Sequence, residues 1–383
     1  MTPPAQRLIE RSSHSEEAVR SVSILAGLFT LCVLPPAFGQ AVSLAQLRDF
    51  LRAQHRSKHS DTEIAERLGA VTLSQRLTQK ALNSLIAESA PGPESVEQLR
   101  LLADDSIFAP PSTRENPLLP APNPEAQQAI ITAAAGYAQT ALQHLPDFLA
   151  IRYTRRFDNL PLASPNKHSP PKIHLHWIGE FHDRITYRNG AETEDDARPQ
   201  PESPETVHAG MISMGEFGPV LAIVFGDFAH GAVAWARWES DPALGPLAVF
   251  QYSVPKSASH YLVDFCCYRN SETESEVLSF RDHPAYHGEI ALSPGSGVVR
   301  RITIQADLDP AGPMAASDLA VQYGEVEIGG QTYICPVRSI ATTAIHRPAI
   351  KRIDGIGIER HLNEIQYTDY HKFGSTSRMI TGP

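Results

Sequence analysis

The sequence predicts an α+β fold: a small N-terminal helical module, then a strongly curved, half-barrel-like antiparallel β-sheet with a helix packed across it. Three observations predict it. Apolar residues between positions 42 and 108 recur at helical spacing, and from residue 148 the period becomes two over many short segments. A segment ending near Phe225 is apolar all round, so a helix there must be covered on most sides. Many antiparallel strands with few helices make one sheet with a helical cover on one face.

The chain has 383 residues, enough for two domains at roughly 100–200 residues each. Its formal net charge is −10, which argues against nucleic-acid binding, because that needs a basic face. Residues 21–36, SVSILAGLFTLCVLPP, are apolar and uncharged, with Arg7, Arg11 and Arg20 before them and Ala37-Phe38-Gly39 after. This is the pattern of a secretory signal over residues 1–39. The run is shorter than the roughly 20 residues that span a bilayer. A mature chain starting near Gln40 is therefore expected in the periplasm or cell envelope, and not as an integral membrane protein.

In the helical module, residues 40–108, Leu44, Leu47 and Leu51 share a face. Ser60-Asp61-Thr62-Glu63 reads as a capping box, and residues 72–75 as a second cap with Leu73, Leu77, Leu82 and Leu85 behind it. Pro91-Gly92-Pro93 breaks the chain before a last helix bearing Val96, Leu99 and Leu102. Such short helices must pack together to persist. Residues 109–124, APPSTRENPLLPAPNP, read as a stiff linker, and residues 125–383 as the β domain. A helix over 125–145, stopped by Pro146, precedes the first strand. Residues 173–178 and 184–187 read as two strands turning near Gly179. Ser213 to Glu216 offers a capping box for the apolar helix. Further strands follow at 232–238, 248–254, 260–268, 286–292 and 298–306, with a Gly329-Gly330 hairpin and a closing strand over 358–373.

Cys266 and Cys267 are adjacent in a strand, so one of them could pair with Cys335 in an oxidising compartment. His174 and His176 project from one strand face and His182 follows, the one arrangement that could seed a zinc site, against the reading of a solvated strand. Ser213 lacks the G-x-S-x-G context of a nucleophile. Asp227 and His230 could serve acid–base chemistry but fit a polar turn better. Trp177, Trp235 and Trp238 read as core or cavity lining. Trp235 and Trp238, three apart, would face opposite ways on a regular strand. No catalytic site and no cofactor are predicted.

Residues 210–238, GMISMGEFGPVLAIVFGDFAHGAVAWARW, resemble a segment of a group of uncharacterised exported proteins, mostly acidobacterial. So do Tyr286-His287-Gly288-Glu289-Ile290, residues 299–303, VEIGGQTYICPVR at 326–338, and YTDYHKF at 367–373. The resemblance covers nearly the whole mature chain and implies no activity. The element order is also similar to the half-barrel of periplasmic lipoprotein carriers and related lipid-binding envelope proteins. That resemblance implies a non-enzymatic binding or carrier protein for an apolar ligand or lipidated partner. Phe217, Leu221, Val224, Phe225, Trp235 and Trp238 would line the cavity. The alternatives are an interaction scaffold that meets an envelope protein partner through the helical module, and a zinc-dependent hydrolase.

Overall fold

The computed structural model describes residues 41–57, 59–160, 174–194, 216–269, 277–346 and 357–372. The signal-like segment 1–39 and Ser213 lie outside them. Ala41–Pro383 clusters as one compact unit.

Four helices come first among the described residues: α1 (Leu44–Ser57), α2 (Asp61–Gly69), α3 (Gln79–Ser89) and α4 (Pro93–Asp105). Their apolar stripes, Leu47, Leu51, Leu68, Leu82, Leu85 and Leu99, close on one another as a single cluster. The Ser60 capping box forms as expected: Ser60 Oγ accepts from the Glu63 amide and Glu63 reaches back to the Ser60 amide. The cap expected at 72–75 is not a cap. Thr72 and Leu73 instead bridge Val42, and α3 starts at Gln79, with Thr78 Oγ1 accepting from the Ala81 amide at 3.2 Å. Thr78 is the better cap because its oxygen meets an amide three residues on.

α5 (Pro124–His144) follows, capped by Asn123. The strands come next: β1 (Phe148–Asp158), β2 (His176–Arg188), β3 (Ala191–Glu194), then α6 (Pro219–Asp227), β4 (Ala232–Asp241), β5 (Gly245–Val254), β6 (Val263–Arg269), β7 (Val277–Asp282), β8 (Tyr286–Leu292), β9 (Val299–Ala306), β10 (Met314–Ile328), β11 (Gln331–His346) and β12 (Ile358–Lys372). Ten strands form one open sheet in the order β3-β2-β1-β12-β11-β10-β9-β8-β5-β4, and every pairing is antiparallel.

Three details differ from the sequence reading. Residues 176–188 are one continuous strand. Gly179 makes no turn but lies opposite Arg156, and a bulge absorbs the extra residue at Ile178. The turn comes later, at Asn189-Gly190, where both residues have positive φ. β6 and β7 leave the main sheet and pair only with each other. And α6 starts at Pro219 rather than Met214, with Gly218 as an N-cap that offers no side-chain hydrogen bond. Proline at the first helical position suits that start, since its missing N–H would have no helical partner. Glu216 lies upstream of the helix and is fully buried.

The sheet is covered on both faces. On one, α5 and α6 lay Ile130, Ala134, Val220, Leu221 and Val224 onto Phe250, Ile290, Ile302 and Val321. On the other, Leu101 and Ile107 of the helical module meet Phe157, Ala320, Ile340 and Leu362. Neighbours such as Ala320 and Val321, or Ile340 and Ala341, divide between the two clusters, as a period of two requires. Residues 109–124 connect the helical module to α5 along this edge: Pro110 accepts from the Arg76 amide and Pro120 from the Trp238 indole.

Candidate ligand cleft

Between the helical module and its face of the sheet lies a cleft of about 920 Å³. Its floor is a row that crosses seven strands in register and is polar over the first five. Arg155 of β1 stands opposite Glu364 of β12, Gln366 of β12 opposite Arg338 of β11, and Arg338 opposite Gln322 of β10. Gln322 in turn stands opposite Arg301 of β9, Arg301 opposite Ala291 of β8, and Ala291 opposite Val249 of β5. Directly opposed residues share a face, so these side chains are delivered to one surface by pairing alone.

Ion pairs then fix them. At one end, Arg301 grips Glu239 of β4 with both terminal nitrogens, at 2.6 and 2.9 Å, and Arg76 Nη2 reaches the same carboxylate at 2.5 Å. Behind them Arg237 grips Glu289 at 2.6 and 2.7 Å. Such fork-to-carboxylate pairs are the most directional that side chains make. Burial alone would raise the Glu239 carboxyl, but Arg301 and Arg76 outweigh it and hold Glu239 well below the usual carboxylate range. Burial, with Arg301 close by, pulls the Arg76 guanidinium down to about 10, against the pull of Glu239.

At the other end, Glu364 accepts from Arg338 at 3.1 Å, Arg155 at 3.0 Å and Gln366 at 3.1 Å. The helical module joins this end directly: Asp104 pairs with Arg338, Glu97 with Arg155, and Asp105 with Arg360. Burial, with Glu364 nearby, pushes the Asp104 carboxyl up to about 6 although Arg338 opposes it. The site is thus a pre-organised set of guanidinium and amide donors with interspersed carboxylates. It suits holding a polar ligand.

The residues expected to line an apolar cavity are placed elsewhere. Leu221 and Val224 are buried in the core beneath α6, 6% and 0% exposed, with Phe225 partly buried beside them. Phe217 packs edge-on to Phe148 and Tyr367 in a neighbouring aromatic cluster. Trp235 and Trp238 share one face after all: a bulge between Trp235 and Arg237 resets the alternation and brings their rings to 5.0 Å, edge to face. Trp177 lines no core; it is 56% exposed near the sheet edge.

The other candidates are also dispersed. His176 lies 3.5 Å from Asp158 with its Nδ1 3.3 Å from the His174 carbonyl, and His182 contacts Glu180 at 2.7 Å and the Tyr153 ring; among the described residues no three potential ligands converge on a metal position. Cys335 is a buried free thiol, raised to about 12 by desolvation. The expected disulfide to Cys266 or Cys267 is not formed, because Cys335 sits in the main sheet among Phe148, Ile185 and Ile365, while β6 belongs to the separate ribbon. The side chains of Cys266 and Cys267 lie outside the described residues. Asp227 pairs not with His230 but with His260, whose Nδ1 is 2.5 Å away, and accepts from the Tyr286 hydroxyl at 2.8 Å. Burial and Asp227 push the Tyr286 hydroxyl far up, so it serves as a donor that ties α6 to the sheet.

The cleft residues had escaped sequence reasoning. Arg301 lies in an alternating strand whose polar members read as a solvated face. Nothing in a strand's own period says that a helical module will cover that face.

No family model and no curated protein matches the chain. Among solved structures it is distantly similar to a LolA superfamily protein of Nitrosomonas europaea, at 11% identity and a TM-score of 0.29, over 67% of this chain and 97% of that one.

Proposed function

We propose that this is a non-enzymatic binding protein of the cell envelope that holds a polar ligand in the cleft between its helical module and its sheet. One observation supports this reading above others: about 920 Å³ of space lined by amide side chains and by charged ones, several of them buried, that strand register and ion pairs hold in place. The volume falls within the range of small-molecule sites. Polar groups so disposed at a cleft cost desolvation unless something uses them. Export rests on the sequence of residues 1–39. Among the described residues, no helix is long and apolar enough to cross a membrane.

Native mass spectrometry of protein purified from the envelope of its own host tests the reading. A polar bound mass, lost in Gln322→Trp, supports it. Gln322 lines the cleft at the middle of the row, so the indole fills the space without removing a charge. An empty protein, or a mass unaffected by that substitution, counts against it.

A second reading keeps the apolar ligand or lipidated partner, seated beneath α6 among Phe217, Leu221, Val224, Phe225, Trp235 and Trp238. Its support is that α6 carries no side-chain cap at its start and packs there through Val220 and Leu221. It requires α6 to lift, because Val224 and Leu221 already fill the space. Organic extraction of a stoichiometric lipid, retained by Gln322→Trp and lost in Leu221→Asp, would establish it over the first. A scaffold role through the helical module would have to use that module's outer surface, since Glu97, Asp104, Asp105 and Leu101 are committed to the sheet.

A further inference from the structure

The end of the cleft at Arg76 holds an imbalance of charge. Arg76, Arg237 and Arg301 gather there around two carboxylates, Glu239 and Glu289. The side chains of Arg76, Arg301, Glu239 and Arg237 are only 6%, 9%, 12% and 16% exposed, so water does little to screen the surplus cation. The nearby acids Asp241 and Glu115 lie nearer solvent than this cluster and hold other partners. Asp241 accepts the amides of Ala243 and Leu244 at 2.9 Å, and Glu115 accepts the Thr78 hydroxyl at 2.8 Å.

The hydrogen bonds are unbalanced too. Nε of Arg237 and Nε of Arg301 are buried with no acceptor. Buried guanidinium N–H groups are rarely left unpaired. The Arg76 backbone is itself fixed, its amide donating to Pro110 at 2.9 Å, so the side chain is held in position over the cleft. A surplus positive charge, unused donors and open volume in one place are what an oxyanion satisfies.

We infer that this end of the cleft binds the oxyanion of the ligand, a phosphate group being the chemistry that best matches the Arg76 and Arg301 guanidinium groups that line it, with the Arg237 cation behind them. The inference rests on the cleft as ligand site and adds the class of ligand: a phosphorylated soluble molecule or the phosphodiester headgroup of a lipid.

The test is calorimetric titration of inorganic phosphate into the full chain, beside Arg76→Gln, Arg76→Lys and, as a control outside the cleft, Lys256→Gln. One saturable site is expected. Binding should weaken about tenfold or more in Arg76→Gln, in keeping with loss of a charge-assisted contact, and be largely restored in Arg76→Lys. Equal unfolding midpoints for the two Arg76 variants would show that charge rather than folding is read. No saturable binding, or Arg76→Gln equal to Lys256→Gln, overturns the inference. Flotation with phosphatidylglycerol or phosphatidylcholine vesicles separates the sources. Arg76-dependent capture of either vesicle assigns a lipid headgroup, and phosphate binding without capture assigns a soluble ligand. If Gln322→Trp abolishes the native bound mass while Arg76→Gln retains it, the cleft stands and the oxyanion falls. If phosphate binds wild type and Gln322→Trp alike, the oxyanion site stands and the cleft reading falls.

Discussion

Glu239 and Asp104 are two buried carboxylates in one cleft with opposite responses to pH. Glu239, held down by Arg301 and Arg76, titrates in the folded chain below its ordinary value of 4.5. Its contribution is therefore present above pH 4.5 and is lost as pH falls through the lower folded value. Glu239→Gln removes the partner of three buried guanidinium groups and is expected to cost about 3–5 kcal/mol at neutral pH. The gap from wild type should narrow below pH 4.5 in urea titrations; a gap that does not change with pH would show that Glu239 acts by shape alone. Asp104 has its pKa raised from 3.8 to about 6. Its favourable contribution is complete below pH 3.8 and is lost as pH rises through about 6. Asp104→Asn should therefore gain on wild type by up to about 3 kcal/mol between pH 4 and pH 7, and no further above that.

Between neighbouring strands, a single glycine decides a contact. A Cβ on Gly288 of β8 would overlap the Thr303 carbonyl of β9, the same oxygen that accepts the Tyr252 hydroxyl at 2.6 Å. Gly288→Ala is expected to cost about 1–3 kcal/mol by overpacking, with faster amide exchange in β8 and β9 as its local sign. Normal exchange there would show that the strands relax freely. How much could be read in advance follows the same scale. The Ser60 box, α5 and the Gly329-Gly330 turn were legible because each is specified within a few residues of itself. The bulges at Ile178 and between Trp235 and Arg237 were not, because an extra residue is defined only against the opposite strand. The same bulge places Trp235 against Trp238, which the period of two alone would forbid. The cleft was legible as polar alternation around Arg301 but not as a site, because its roof comes from residues more than 150 positions away.

Across the whole molecule the question is what keeps the helical module on the sheet. The contact combines an apolar patch, Leu101 and Ile107 against Phe157, Ile340 and Leu362, with ion pairs around it. These pairs differ in exposure. Arg360–Asp105 is 43% and 16% exposed and open to screening, whereas Arg338–Asp104 is 25% and 7% and Arg76–Glu239 is 6% and 12%. In 1 M salt the screening length is roughly 3 Å, enough to quench the first and not the buried pairs. Leu101 is 5% exposed and Leu362 fully buried, so charge screening does not weaken the apolar patch. Calorimetry of residues 40–383 is therefore expected to show a single unfolding transition that 1 M salt lowers by only a few degrees. Leu101→Ala should lower the same transition by about 2–5 kcal/mol without splitting it. Two resolved transitions in either experiment would mean that the helical module folds apart from the sheet, and a cleft formed between them would then open with every excursion of the module.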